Sequence, residues 1–207
     1  MNIPSPLFVA WDITYKCNLN CFFCDRQTVY HDKLDKDLTL DQAKSIVDTL
    51  VDADVMSIGI TGGEALLRSD LEDIAKYAVD KGLIVTLSTN GTLVTKSRAK
   101  KLVNLVQSIS ISLDGLPETH DKVRGCEGAY SGAIRGLKIL SEIDSRSCAV
   151  GVNFVLNKYN FQELAEVFET VKNIGADYFF VQPVIGSSSW AIPKDAIMLS
   201  KSLSIKF

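Results

Sequence analysis

Residues 15–24 read Tyr15-Lys16-Cys17-Asn18-Leu19-Asn20-Cys21-Phe22-Phe23-Cys24, which places three cysteines at a C-x3-C-x2-C spacing. Cysteine thiolates hold iron-sulfur clusters, and a cubane of four irons normally takes four of them. No fourth cysteine lies near this stretch. The spacing therefore predicts a 4Fe-4S cluster, bound by Cys17, Cys21 and Cys24, that keeps one iron open for another ligand. A catalytic metal needs such an open position, whereas a structural site is closed.

Three alternative roles for the cysteines fit the sequence less well. Zinc accepts three cysteines and a histidine, and His31 is near enough in sequence to complete such a site, but zinc modules usually pair two close ligands with two distant ones. A ferredoxin-like electron carrier needs a fourth thiolate, which only Cys126 or Cys148 can supply, from more than a hundred residues away. Three unconnected buried thiols are the remaining alternative.

Composition limits the classes of protein that this chain can represent. Its 207 residues, 46% of them apolar, suffice for one domain or a domain and a half with a sizeable core. The formal net charge is -3, and no basic tract indicates nucleic acid as a partner. No apolar run reaches the roughly 18 residues of a membrane span, and the N-terminus lacks a signal-peptide pattern. Five cysteines, three of them clustered, argue against a secreted disulfide framework, so a cytoplasmic protein is expected.

Short apolar strands alternate with amphipathic helices along the chain. Strands are predicted at 7–13, 55–60, 83–88, 106–113, 148–156 and 178–181. Helices are predicted from Thr39, from Ser69 to Gly82, from Thr95, at 131–143 and from Asn160 to Gly175. Capping signals mark three of the helix starts: Thr39 with Gln42, Ser69 with Glu72, and Asn160 with Glu163. Residues 120–125 are predicted to form a loop.

The strict alternation of strands and helices predicts an α/β fold with a parallel sheet and right-handed crossovers. A closed eight-stranded barrel needs about 250 residues, so six strands predict a partial (β/α)6 TIM-like barrel. The rival is a doubly wound dinucleotide-binding fold. Its first strand would lead into a glycine-rich turn and a helix, whereas a cysteine loop follows the first strand here.

Polar and glycine-rich segments follow the predicted strands, where parallel α/β barrels carry their chemistry. Thr61-Gly62-Gly63-Glu64 follows the second strand and Ser88-Thr89-Asn90-Gly91 the third, while alternation on the fourth puts Ser110, Ser112 and Asp114 on one face. Glycines let a backbone approach a ligand closely, and a neighbouring carboxylate suits an ammonium group. Taken singly, these segments are equally typical of turns. Asn153, on the fifth strand, equally fits a satisfied buried amide.

The cysteine spacing, with Phe23 directly before the third cysteine, resembles the signature of the radical S-adenosylmethionine (SAM) superfamily. The GGE at 62–64, the STNG at 88–91 and the HDxxRG at 120–125 resemble further segments of that family. The resemblance implies that SAM chelates the open iron and that an electron from the cluster cleaves it to a 5′-deoxyadenosyl radical. It also implies that the GGE segment receives the SAM amino group, that Arg124 helps hold its carboxylate and that Asn153 lies near the adenosine. The implied cofactor-binding residues are Phe23, Gly62, Gly63, Glu64, Ser88, Asn90, Ser112, Arg124 and Asn153.

The chain is most similar to the branch of this superfamily that contains the molybdenum-cofactor cyclase, the SPASM-type maturases and the haem decarboxylases. Those enzymes carry a C-terminal extension with cysteines for auxiliary clusters, whereas no cysteine follows Cys148 here. We therefore expect a radical SAM core at 1–185. Residues 186–207 are expected to be a linker and tail, either the end of a minimal enzyme or the start of a module that relatives have.

The resemblance implies an enzyme that abstracts hydrogen from a substrate. A peptide or protein is the leading candidate for the substrate, and a tetrapyrrole or a nucleoside is the second. The expected partners are SAM, that substrate and an electron donor such as flavodoxin or ferredoxin, with no membrane. Cys126 is a hypothetical hydrogen donor to a substrate radical, whereas Cys148 is expected to be a buried apolar residue. The alternative is a non-catalytic iron-sulfur binding or electron-transfer protein, which would not need a clamp for an amino acid.

Overall fold

A parallel sheet of six strands forms the centre of the computed structural model, which describes residues 6–24 and 37–184. The strands are β1 (Phe8–Asp12), β2 (Ser57–Thr61), β3 (Ile84–Thr89), β4 (Ser108–Ser112), β5 (Ala149–Leu156) and β6 (Tyr178–Pro183). They lie side by side in the order β1-β2-β3-β4-β5-β6, and every neighbouring pair is parallel. A doubly wound sheet reverses its order at a switch point. The consecutive order therefore confirms the predicted partial (β/α)6 barrel.

Helices connect the strands. They are α1 (Leu40–Asp52), α2 (Leu71–Asp80), α3 (Lys96–Leu102), α4 (Pro117–Arg124), α5 (Ala129–Ser141) and α6 (Leu164–Ile174). Short 3-10 turns precede α2 at Ala65–Leu67 and α6 at Phe161–Glu163. The prediction of a loop at 120–125 was wrong, because these residues belong to α4 and its end. Pro117 occupies the first turn of α4 and Gly125 ends it in the left-handed conformation, so both terminal signals are present in the sequence.

Of the three predicted helix caps, the structure contains the first and lacks the other two. Thr39 and Gln42 form the predicted capping box at the start of α1. The predicted box of Ser69 and Glu72 is wrong, because α2 follows Asp70 and Glu72 instead pairs with Arg98 at 2.6 Å. Asn160 makes no side-chain cap to its turn, and its amide donates to the backbone oxygens of Asp114 and Val155 instead. Glu72 and Asn160 thus bind partners that are distant in sequence, instead of capping the helices to which the local pattern assigned them.

The two faces of the sheet differ in polarity. On β4, Ile109 and Ile111 are fully buried, whereas Ser110 and Ser112 are only partly buried, as the predicted alternation requires. Right-handed crossovers keep the helices on one side of a sheet whose strand order does not reverse. The apolar side chains therefore pack under the helices, and the small polar ones face the interior of the partial barrel.

Two expectations from the sequence concern residues outside the described ranges. His31, on which the zinc alternative depends, and residues 186–207, predicted as a linker and tail, both lie outside them. None of the described helices is both long and apolar enough to cross a membrane.

Candidate active site

A cavity of about 290 Å³ lies at the carboxyl ends of the strands. It is lined by the three predicted cluster ligands, Cys17, Cys21 and Cys24, and by eight of the nine predicted cofactor-binding residues. Those eight are Phe23, Gly62, Gly63, Ser88, Asn90, Ser112, Arg124 and Asn153. The structure thus brings residues from the cysteine loop and four strand ends to one place. Their contacts with a cofactor stay predictions.

Two of the three cysteine sulfurs accept hydrogen bonds. All three are half-buried, and none of them forms a disulfide within the described part of the chain. The backbone N–H of Leu19 donates to Sγ of Cys17 at 3.4 Å, and Nη1 of Arg124 donates to Sγ of Cys21 at 3.6 Å. Burial raises the pKa of the Cys21 thiol, and the neighbouring Arg124 charge opposes that rise. Donors and a cation directed at sulfur favour the thiolate, which is the form that binds iron.

The cysteine loop is attached to the end of helix α4. The backbone N–H of Asn20 donates to the carbonyl of Arg124 at 3.0 Å, and that of Phe22 donates to the carbonyl of Val123 at 3.1 Å. Gly125 has φ +64, and a Cβ there would lie 2.1 Å from the backbone oxygen of Asn20. Only glycine allows this approach. The loop amides therefore satisfy the last two carbonyls of α4, next to the Gly125 cap, and fix where the cysteines lie.

Gly62 and Gly63 line the cavity, yet their own chain explains why they are glycines. A Cβ on Gly63 would lie 2.1 Å from the backbone oxygen of Lys16, and one on Gly62 would lie 2.4 Å from that of Thr14. Gly63 N–H donates to Thr14 at 2.7 Å, and Glu64 N–H donates to Lys16 at 2.7 Å. The sequence predicted a close approach to a ligand. The structure shows that these glycines at the end of β2 lie directly against the backbone at the start of the cysteine loop.

Glu64 differs from its prediction. It is 1% exposed and does not line the cavity, although its two glycine neighbours do. Its carboxylate accepts hydrogen bonds from the Thr89 hydroxyl at 2.6 Å, the Asn90 N–H at 2.7 Å and the Leu66 N–H at 3.0 Å. Burial raises the pKa of this carboxyl, and the bonds from Thr89 and Asn90 oppose the rise. In this structure Glu64 holds the segment after β3 rather than facing the cavity.

The segment after β3 is also tied to the cysteine loop. Asn90 Nδ2 donates to Oδ1 of Asn18 at 2.8 Å, and Asn18 Nδ2 donates to the Thr92 hydroxyl at 2.8 Å. The Asn90 Oδ1 atom accepts from the N–H and the hydroxyl of Thr92. These bonds position Asn90 between the glycine-rich segment and the cysteines. Ser88, at the end of β3, lies beside it on the cavity wall.

Asp114 and His120 are structural rather than exposed to the cavity. Asp114 is fully buried, and its carboxylate forms an ion pair with Arg124, whose Nη2 lies 2.6 Å away. Its N–H donates to Nδ1 of His120 at 2.9 Å. Burial lowers the pKa of His120 to about 3, so this side chain is neutral. Arg124 Nε is a buried donor without a partner in the described structure, and it belongs to a residue that lines the cavity.

Sequence reasoning missed five lining residues: Leu19, Thr61, Thr89, Val155 and Gln182. The last two are register partners on β5 and β6, and both continue the interior face that Asn153 shares. Alternation on β6 carries a signal for Gln182, but the sequence does not show which face turns inward. Cys126 does not line the cavity, and its Sγ contacts the backbone oxygen of Glu127 at 3.5 Å. Cys148 is buried in the core, as expected.

This arrangement defines a class of site. One loop contributes three thiols to the cavity, and the strand ends contribute hydrogen-bonding groups. Among the described residues, no three His, Cys, Asp or Glu side chains converge as the ligands of a single metal ion do. A cubane does not require that convergence, because each thiolate binds a different iron. The residues therefore fit a cluster with an open iron and a polar cofactor beside it.

Comparison with known proteins identifies the family. Residues 11–171 match the model of the Radical SAM superfamily, and the chain belongs to that family. Members of this family are enzymes that use a 4Fe-4S cluster and SAM. The family, the enzyme class and both cofactors predicted from the sequence are therefore confirmed.

The relatives include enzymes of different substrate classes. The AdoMet-dependent heme synthase of Methanosarcina barkeri is 37% identical over 184 residues, which cover 86% of this chain and 52% of that protein. The PqqA peptide cyclase of Bradyrhizobium diazoefficiens is 30% identical over 196 residues, which cover 94% of this chain and 50% of that protein. The structure of Streptococcus suis SuiB bound to S-adenosylmethionine has a TM-score of 0.79 at 20% identity and covers 92% of this chain and 44% of that chain. The chain spans about half the length of these proteins.

Proposed function

We propose that this chain is the catalytic core of an enzyme that cleaves SAM reductively and abstracts hydrogen from a substrate. When bound, the reduced cluster and SAM supply a 5′-deoxyadenosyl radical. One observation supports the proposal above the others. The three cysteine sulfurs and the strand-end residues predicted to bind SAM line a single cavity.

The residues of the chain divide the work of holding both groups. Cys17, Cys21 and Cys24 hold the cluster, with the Leu19 N–H and the Arg124 guanidinium directed at two of the sulfurs. Polar groups of Ser88, Asn90, Ser112 and Asn153 stand on the cavity wall, where they suit the hydroxyls and ring nitrogens of an adenosine. Arg124 Nε, which has no other partner in the described structure, is the donor best placed for a carboxylate.

The Gly62-Gly63 backbone forms the wall next to the start of the cysteine loop. We assign the ammonium group of SAM to this wall. Glu64 supports it from behind, because its carboxylate fixes Asn90 on the adjacent segment. This assignment modifies the role that the sequence predicted for Glu64.

A peptide is the first substrate class to test, because the described strands leave the sheet open at β1 and β6. An open side admits a long substrate. An iron-bound or metal-free tetrapyrrole is the second candidate, favoured by the 37% identity to a heme synthase. A reducing compartment such as the cytoplasm suits the thiolates, and a flavodoxin or ferredoxin suits the one-electron reduction.

The first experiment tests SAM cleavage alone. Anaerobically reconstituted protein, given dithionite and SAM, should bind about four irons per chain and release 5′-deoxyadenosine. Cys21→Ala should lose both properties, whereas the matched Cys126→Ala, outside the cavity, should keep them. Zinc in place of iron, or equal product from Cys21→Ala, would refute the proposed function. An electron carrier without turnover would bind the cluster but release no 5′-deoxyadenosine.

The second experiment identifies the substrate class. Deuterated peptide pools and deuterated iron-coproporphyrin are offered separately, and the 5′-deoxyadenosine is examined for deuterium by mass spectrometry. Deuterium from the peptide supports the first candidate and deuterium from the tetrapyrrole the second. Its absence from both would exclude the two proposed classes.

A further inference from the structure

Arg124 connects a buried carboxylate to one of the predicted cluster ligands. Its Nη2 lies 2.6 Å from Oδ2 of Asp114, and its Nη1 lies 3.6 Å from Sγ of Cys21. The guanidinium carbon lies 5.3 Å from the centre of the Phe23 ring. The side chains of Arg124 and Asp114 are only 9% and 0% exposed. A positive charge is therefore held beside a ligand sulfur, at a site that water scarcely reaches.

The ion pair is fixed from several sides. Oδ1 of Asp114 accepts the N–H of Val155 at 2.7 Å on β5, and the N–H of Asp114 donates to the buried His120. The carbonyl of Arg124 accepts the N–H of Asn20 in the cysteine loop. The side chain and the backbone of one arginine thus both contact the loop that carries the sulfurs.

We infer that the Arg124–Asp114 pair sets the reduction potential of the cluster. In this inference Arg124 acts directly on the Cys21 sulfur, and the buried carboxylate of Asp114 partly offsets the charge of the guanidinium. The inference rests on the proposed function, because it requires a cluster on Cys21. Arg124 thus has a second role besides the proposed contact with the SAM carboxylate, and this second role does not require bound SAM.

The physical basis is the change of charge on reduction. The cluster takes one electron from the external donor and becomes more negative by one charge. A neighbouring cation and an N–H···S hydrogen bond stabilise the reduced form more than the oxidised form, so they raise the potential. Asp114 has the opposite sign and partly offsets this effect. Because the pair is buried, added salt screens it weakly.

The test is a redox titration of the reconstituted protein in the absence of SAM, followed by the electron paramagnetic resonance signal of the reduced cluster. Arg124→Gln should shift the midpoint potential to a more negative value, because it removes the cation. Asp114→Asn should shift it to a less negative value, because it removes the opposing charge while keeping the shape. Opposite shifts support the inference. Shifts in one direction, or no shift, would overturn it, since loosening that exposes the cluster to water moves both variants alike.

Two further variants guard against misfolding. The Arg124→Gln/Asp114→Asn double variant leaves neither buried charge unpaired, and its midpoint should fall between those of the single variants. Lys122→Gln removes an exposed charge on the same helix and should leave the midpoint unchanged. A double variant outside the interval of the singles, or an equal shift in Lys122→Gln, would refute the inference. Failure of the wild-type protein to bind iron would instead refute the proposed function, and this inference with it.

Discussion

Glu64 and Thr89 form a buried hydrogen bond of 2.6 Å between the carboxylate Oε1 and the hydroxyl Oγ1. The bond joins the segment after β2 to the end of β3, behind the wall of the cavity. The second carboxylate oxygen accepts the N–H of Asn90, the next residue along the chain. One acidic side chain therefore sets the distance between two neighbouring strand ends that line the site.

Glu64→Gln should weaken both the fold and the site. The amide nitrogen of glutamine cannot accept the N–H that the second carboxylate oxygen accepts, so one buried donor loses its partner. We expect a loss of about 1–3 kcal/mol in the free energy of unfolding and weaker SAM binding. Urea denaturation and calorimetric SAM titration measure the two effects. Glu142→Gln, the same change at a position outside the site, should alter neither. Unchanged SAM affinity in Glu64→Gln would contradict the positioning role.

Gly63→Ala should prevent cluster assembly. The added Cβ would lie 2.1 Å from the backbone oxygen of Lys16, so the start of the cysteine loop must move. We expect most of the iron and sulfide per chain to be lost after reconstitution. Gly82→Ala is the control, because a Cβ at Gly82 meets nothing within 4 Å, although φ there is +93. Full iron content in Gly63→Ala would show that the glycine is not required for loop placement.

His120 should make stability fall in acid. Its folded-state pKa of about 3 lies below its usual value of 6.5, because burial disfavours the charged ring. The unfolded chain therefore binds a proton below about pH 6.5 that the folded chain does not, and the free energy of unfolding decreases as pH falls through that window. His120→Asn, which keeps an acceptor near the N–H of Asp114, should lose less stability between about pH 7 and pH 5. Parallel curves for the two proteins in urea denaturation would disprove the assignment.

Replacing only one partner of the Arg124–Asp114 ion pair should destabilise the fold more than expected from replacing both together. Arg124→Gln leaves a fully buried Asp114 without its cation, for which we expect a loss of about 3–5 kcal/mol in the free energy of unfolding. The double variant with Asp114→Asn should be less destabilised than the sum of the two single variants. Chemical denaturation of all four proteins gives the coupling energy. Simple additivity would mean that the two side chains do not depend on each other.

The parts of the site that the sequence predicted are those that short-range patterns encode. The cysteine triplet, the GGE and STNG segments and the alternation on β4 each depend on spacing within a few residues. Helix α4 was missed because its eight residues are mostly polar and show little apolar periodicity. Only Pro117 and Gly125 mark its ends, and the family segment at 120–125 indicates the roles of single residues without indicating a helix.

The partners of Glu64 and Asp114 were not predictable, because they depend on which residues the fold brings together. Thr89 is 25 residues from Glu64, and Val155 is 41 residues from Asp114. A carboxylate next to two glycines was interpreted as a group that faces a ligand. In the structure it faces a neighbouring strand end, since no local pattern distinguishes the two directions.

The attachment of the cysteine loop to helix α4 makes the metal site part of the scaffold. The carbonyl groups of Val123 and Arg124 receive their hydrogen bonds from amides that lie between the cysteines. Oxygen damage that releases the iron would also release these amides and leave the helix frayed at its last turn. A trypsin cut after Lys122 or Arg124 would then report cluster loss, so the integrity of an oxygen-sensitive centre becomes visible as a change in protease resistance.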